Sequence, residues 1–178
     1  MKVRRIVSVS ALGLGLLASG CSGSGSGDDG GSALVDEVTT STTGPASGCE
    51  VDGAIDGEPA TTVDVTLSEY AVALSRATVP AGAVELVARN DGRIAHEMSV
   101  VRFDGDPASI PVNVVGGADV TQLPDGALVG RIWSFDPEAS CRGTFDLAPG
   151  TYALICNVVD DGTNPHYGLG MSTALTVT

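Results

Sequence analysis

The stretch TYALICNVVDDGTNPHYGLGMSTALTVT, residues 151 to 178, sets two apolar runs around a loop that carries a thiol, an imidazole and a thioether. The first run, TYALIC (151 to 156), ends in Cys156, and the second, STALTVT (172 to 178), begins just after Met171. Short runs of β-branched, aromatic and aliphatic residues bounded by turn residues read as strands. The same texture continues upstream at TVDVTL (62 to 67), YAVAL (70 to 74), AVELVAR (83 to 89), HEMSVVRF (96 to 103), LVGRIWSF (128 to 135) and GTFDL (143 to 147). PAG at 80 to 82, NDG at 90 to 92 and APG at 148 to 150 supply turn signals between them. No run sustains a helical period and no internal repeat is present. These runs predict an all-β chain, a Greek-key β-sandwich of about seven to eight strands. Between two of them, the proline- and glycine-rich stretch from Asp104 to Asp125 reads as a long surface excursion.

The loop from Cys156 to Met171 also decides the chemistry. A second imidazole, His96 in NDGRIAHEMSVV, is the only histidine besides His166. Taken singly, a buried cysteine or methionine is usually a packing residue. Together, two imidazoles, a thiolate and a thioether form a set that copper prefers over zinc, calcium or magnesium. Both histidines fall beside strand-like runs, and one of them lies between the cysteine and the methionine. That coincidence favours a metal site over four independent packing residues.

Over roughly residues 60 to 178 the sequence resembles the cupredoxins, the blue copper proteins. The resemblance is carried by N-x-G-x-x-x-H at Asn90, Gly92 and His96, by P-G-x-Y at Pro149, Gly150 and Tyr152, by Cys156, and by His166 followed by G-x-G-M through Met171. It implies one type 1 copper ion with His96, Cys156 and His166 as strong equatorial ligands and Met171 as the weak axial one. It implies single-electron transfer as the activity, since such a ligand set serves both oxidation states of copper. Two positions depart from the best-known members. Glu97 follows the first histidine where those members carry a small amide that braces the cysteine loop, so Glu97 is open to coordinating, bracing or facing water. Nine residues, rather than a few, separate Cys156 from His166. Their Asp160 and Asp161 should favour the more positive oxidised copper and lower the reduction potential. Pro165, Tyr167 and Leu169 beside His166 suggest an apolar patch around an exposed imidazole edge where a partner docks.

Ahead of the strands, residues 1 to 20 read as a bacterial lipoprotein signal peptide. Lys2, Arg4 and Arg5 open it, an apolar stretch too short to span a membrane follows, and A-S-G-C places Cys21 for lipidation. Residues 21 to 48, rich in Gly, Ser, Thr and Asp, read as a flexible tether. Residues 49 to 178 are enough for one domain with its own core. Loss of the three leader cations leaves six basic against 22 acidic residues, a net charge of about −16. That balance excludes nucleic-acid binding and suits a basic redox partner. No serine or cysteine stands at a recognisable spacing from a histidine and an acidic orienter, so the reading is of a carrier and not an enzyme. The chain is expected to be a monomer, anchored by lipid to the outer face of a membrane.

With Cys21 committed to lipid, at most one disulfide can form among the other three cysteines. Pairing Cys49 with Cys141 leaves Cys156 free for metal. The rival, Cys141 with Cys156, follows if APG closes a hairpin that sets these two opposite each other. It would abolish the copper site and leave a metal-free interaction domain. A copper carrier or scavenger at the cell surface is the other alternative, since it needs the same ligands without a redox partner.

Overall fold

The computed structural model describes residues 49 to 178. The expected signal peptide, the expected lipidation site Cys21 and the expected tether lie outside the described residues. Among the described residues there are twelve strands: β1 (Val51–Asp52), β2 (Thr61–Ser68), β3 (Ala71–Leu74), β4 (Thr78–Val79), β5 (Gly82–Asn90), β6 (His96–Arg102), β7 (Leu128–Phe135), β8 (Ser140–Leu147), β9 (Gly150–Ile155), β10 (Val159–Asp160), β11 (Asn164–Pro165) and β12 (Ser172–Val177). The eight longer ones coincide with the eight runs read from the sequence. The four two-residue strands are additions at edges and loops, too short to carry a period.

Two sheets make the sandwich, one ordered β1-β7-β6-β9-β12-β4 and the other β3-β2-β5-β8. A parallel pair, β2 with β5, lies inside the second sheet, with Val63 opposite Leu86. A second parallel pair, β12 with β4, closes the edge of the first. Alternation along β2 and β8 turns Val63, Val65 and Leu67, and Cys141, Phe145 and Leu147, inward. They meet Met98, Val100, Ile132, Tyr152, Leu154 and Leu175 from the first sheet in one core. Each such side chain stabilises the fold by roughly 1.5–3 kcal/mol through burial.

β6 and β9 do not alternate. His96 to Val101 and Tyr152 to Ile155 are buried throughout, on both faces of their sheet. The second face is covered by the excursion between β6 and β7, which carries two short 3-10 turns, Pro107–Ser109 and Val120–Gln122. Ile110 and Ala118 from the excursion pack with Val101, Ala153, Ile155 and Tyr167 as a smaller core. The Tyr167 hydroxyl donates to the carbonyls of Pro107 (2.8 Å) and Ile110 (3.1 Å), so the excursion is fastened to the loop that bears His166.

The APG turn does not close a hairpin. β8 and β9 belong to different sheets, with β8 paired to β5 and β9 to β6 and β12. Cys141 therefore faces Ala88 across its ladder and is not opposite Cys156. Cys49 and Cys141 are bonded, with Cα atoms 5.6 Å apart, and Cys156 is a free, buried thiol. Tyr152, two residues past Gly150, donates its hydroxyl back to the Ala148 carbonyl at 2.9 Å and fixes the arch between the sheets.

Candidate metal centre

Four segments converge at one end of the first sheet. His96 opens β6, Cys156 follows β9, His166 follows β11, and Met171 precedes β12. β6 and β9 are neighbours, with Ser99 opposite Ile155, so adjacent strand ends deliver His96 and Cys156 side by side. The remaining nine-residue insert folds back as the β10–β11 ribbon, with Asp160 opposite Asn164. Two backbone bonds close the loop: Cys156 N–H to the Met171 carbonyl (3.1 Å) and Met171 N–H to the His166 carbonyl (3.0 Å).

His96, Cys156, His166 and Met171 are all fully buried. The donor atoms of the first three lie within 4.8 Å of one another. Cys156 Sγ stands 3.3 Å from His166 Nδ1 and 3.8 Å from His96 Nδ1, and the two Nδ1 atoms are 3.1 Å apart. Three lone-pair donors face a common point, which apolar packing alone does not require. Burial pushes the Cys156 thiol up from 9.0 to about 12, against the pull of the Glu97 and Val158 N–H groups. Burial, and then the neighbouring His166, hold the His96 imidazole below its ordinary 6.5. The metal-free site is thus a neutral imidazole beside a protonated thiol, and a soft cation that displaces that proton fits this donor set.

The turn before His96 explains the N-x-G-x-x-x-H pattern. Buried Asn90 donates from Nδ2 to the carbonyls of Ile94 (2.8 Å) and Phe135 (3.1 Å), and its Oδ1 accepts the Gly92 N–H (2.9 Å). A Cβ on Gly92 would fall 2.6 Å from Glu69 Oε1 and 2.8 Å from His96 Nε2, so only glycine leaves room there.

Glu97 braces the loop. Its Oε1 accepts the N–H of Asn157, the residue after Cys156, at 3.2 Å, and the Ser99 hydroxyl at 3.3 Å. Its own N–H donates to Cys156 Sγ at 3.4 Å. Arg131, 3.9 Å away, balances its charge. Asn157 in turn clasps Ala118 of the excursion, accepting its N–H (2.7 Å) and donating to its carbonyl (2.9 Å). Glu97 turns away from the thiol–imidazole cluster toward this clasp.

His166 differs from the sequence expectation of an exposed imidazole edge. Asp160 Oδ2 lies 2.8 Å from its Nε2, and the Tyr70 ring packs edge-on at 5.0 Å. Leu169 is exposed, as are Val112, Val114 and Val115 on the excursion. Glu69, Tyr70, Arg131 and Asn157 had no signal in the sequence beyond the glycine at 92 that makes room for Glu69.

The sequence matches no family profile and no curated protein. Among solved structures it is similar to auracyanin B, with 28% identity over 70% of this chain and 94% of that one, at a TM-score of 0.51. A reduced auracyanin from the photosynthetic bacterium Roseiflexus castenholzii is 22% identical, covering 68% of this chain and 99% of that one at a TM-score of 0.48. Auracyanin A, a blue copper protein of Chloroflexus aurantiacus, is 19% identical, covering 66% and 98% at 0.39. The two-sheet topology, the converging His96, Cys156 and His166 and the likeness to auracyanin B give the chain a cupredoxin-like fold with a His–Cys–His cluster at one end.

Proposed function

We propose that this protein is a type 1 copper electron carrier, anchored by a lipidated Cys21 on the outer face of a membrane. The observation that carries the reading is a buried, unpaired thiol facing two imidazole nitrogens in a chain whose other described cysteines are bonded to each other. His96, Cys156 and His166 are the equatorial ligands in this reading, and Met171, buried beside them, the axial one. Bound copper supplies a one-electron couple. The chain's contribution is to hold its donors still and dry through a change of one charge, so that little reorganisation accompanies transfer. Asn90, Glu97 and the clasp between Asn157 and Ala118 provide that stiffness.

Export is supported by the leader and by the Cys49–Cys141 disulfide, which persists in oxidising compartments. The partner is a basic redox protein, drawn by the net acidic charge. It meets the domain at the loop end, where Leu169 is exposed and the excursion abuts Pro165 at Gly116. A surface copper scavenger is the weaker reading, because donors fully buried behind a fastened loop exchange metal slowly. The free state of Cys156 speaks against an interaction domain with a disulfide-filled site.

The test is to add one equivalent of Cu(II) to the full mature chain. Intense visible absorption from a copper–thiolate bond, reversible voltammetry, and loss of both in Cys156→Ser are expected. A colourless complex would overturn the assignment.

A further inference from the structure

Each ligand imidazole has its outer nitrogen backed by a carboxylate. On His166, Asp160 Oδ2 is 2.8 Å from Nε2. On His96, Glu69 Oε1 is 3.6 Å from Nε2, just beyond hydrogen-bond reach. His96 Nε2 is buried and is the one such side-chain nitrogen or oxygen among the described residues without a hydrogen-bond partner. The two carboxylates come from unrelated parts of the chain, the β2–β3 turn and the insert between Cys156 and His166. Both are partly exposed, at 28% and 27%, while both imidazoles are fully buried.

Neither carboxylate is placed by chance. Glu69 Oε1 accepts the N–H groups of Arg93 (2.6 Å) and Ile94 (3.1 Å), and these bonds draw its carboxyl below the ordinary range, the Arg93 N–H first. Gly92 leaves open the space in which Glu69 Oε1 and His96 Nε2 approach. Asp160 is held by the β10–β11 pairing, opposite Asn164. A carboxylate accepts only, so His166 Nε2, 2.8 Å from Asp160, must carry the hydrogen, while the Glu69 charge 3.6 Å from His96 Nε2 favours the hydrogen there electrostatically, without a hydrogen bond. The opposite nitrogen then keeps its lone pair, and in both rings that nitrogen is the Nδ1 facing Cys156.

We propose that Glu69 and Asp160 are paired positioning residues that lock both histidines with the hydrogen on Nε2, aim both Nδ1 lone pairs at the metal, and bias the centre toward its oxidised state. The proposal rests on the copper reading above for its redox part alone; the tautomer part concerns the metal-free chain. Carboxylates behind metal-bound imidazoles raise ligand basicity, and removing such partners lowers metal affinity about 10- to 100-fold. Because a nearby negative charge favours Cu(II) over Cu(I), both carboxylates lower the reduction potential.

The experiment has two arms on the full mature chain. In the metal-free protein, long-range nitrogen–proton NMR correlations report the tautomer of each histidine. Both rings are expected with the hydrogen on Nε2 in the wild type, and mixed tautomers are expected for His166 in Asp160→Ala and for His96 in Glu69→Ala. An Nδ1–H tautomer for either ring in the wild type would overturn the proposal whatever the metal chemistry. In the copper-loaded protein, Asp160→Asn keeps an acceptor and removes the charge, and Asp161→Asn removes an equal charge one residue away, where the side chain is exposed. The first should shift the Cu(II)/Cu(I) balance about tenfold toward Cu(I), a rise of about 59 mV for one electron, and Glu69→Gln should act in the same direction. Equal shifts in Asp160→Asn and Asp161→Asn would overturn the contact as the cause. A wild type that stays colourless with copper would instead sink the electron-carrier reading and leave the tautomer result standing.

Discussion

Copper binding should release one proton from Cys156, and the structure sets how much that proton weighs. With burial holding the thiol at about 12, neutral pH lies about five decades below its ionisation, so removing the proton costs about 7 kcal/mol of binding energy at pH 7. Each step of one pH unit upward recovers a factor of ten. His96 adds nothing to this slope above neutrality, because its imidazole is held below 6.5 and is already unprotonated. The assay is Cu(II) affinity measured by competition with a chelator of known pH dependence, from pH 7 to 10. The expected gain is about tenfold per unit without levelling at 9, and Cys156→Ser should bind weakly with no such slope. A flat profile would refute thiolate ligation, and a plateau above pH 9 would refute the effect of burial. The same displacement acts on folding without metal. The folded value lies above the unfolded 9.0, so stability is fully present below pH 9 and is lost as pH rises through about 12, by about 4 kcal/mol in total.

Three further outcomes follow from contacts described above. Replacing Cys49 and Cys141 together by alanine opens a loop with a sequence separation of 92, which costs about 4.6 kcal/mol by chain entropy; urea unfolding should register most of that while the copper absorption stays intact. Glu97→Ala leaves the Asn157 N–H without its acceptor and Arg131 without its countercharge and should cost about 1–3 kcal/mol, whereas Glu97→Gln keeps an acceptor, retains most of the stability and raises the potential in voltammetry; equal behaviour of the two variants would argue against the brace. Leu169→Glu places a charge on the exposed loop end and should slow electron self-exchange, read by NMR line broadening in mixtures of oxidised and reduced chain, with the visible spectrum unchanged.

The strands were legible wherever one face is buried, because alternation in TVDVTL or GTFDL records which side meets the core. The apolar run TYALIC, and HEMSVV with its polar His96, Glu97 and Ser99, behave differently. Both are buried on both faces because the Asp104 to Asp125 excursion covers the outer one, and this separates β9 from its alternating neighbour β8. The APG turn hid that separation, since a hairpin and an arch between sheets use the same turn residues. The candidate ligands His96, Cys156, His166 and Met171 stood out by residue type alone, being soft or borderline ligands in a histidine-poor chain. Their supports did not. Glu97 acts through Asn157, 60 positions away, and Glu69 through the turn at 92 to 94, and no local pattern marks a carboxylate whose partner is distant. The burial of His166 was equally hidden, because it depends on Asp160 folding back in a ribbon only two residues wide on each side.

The Cys49–Cys141 bridge also has a mechanical meaning. A pull arriving along the chain from the amino-terminal side reaches Cys49 before any of the described strands, and the sulfur link passes the load sideways into β8, an eight-residue strand bonded along its length to β5. β1, whose grip on β7 is two residues long, is thereby spared from peeling. The first link to bear such a load is covalent rather than hydrogen-bonded.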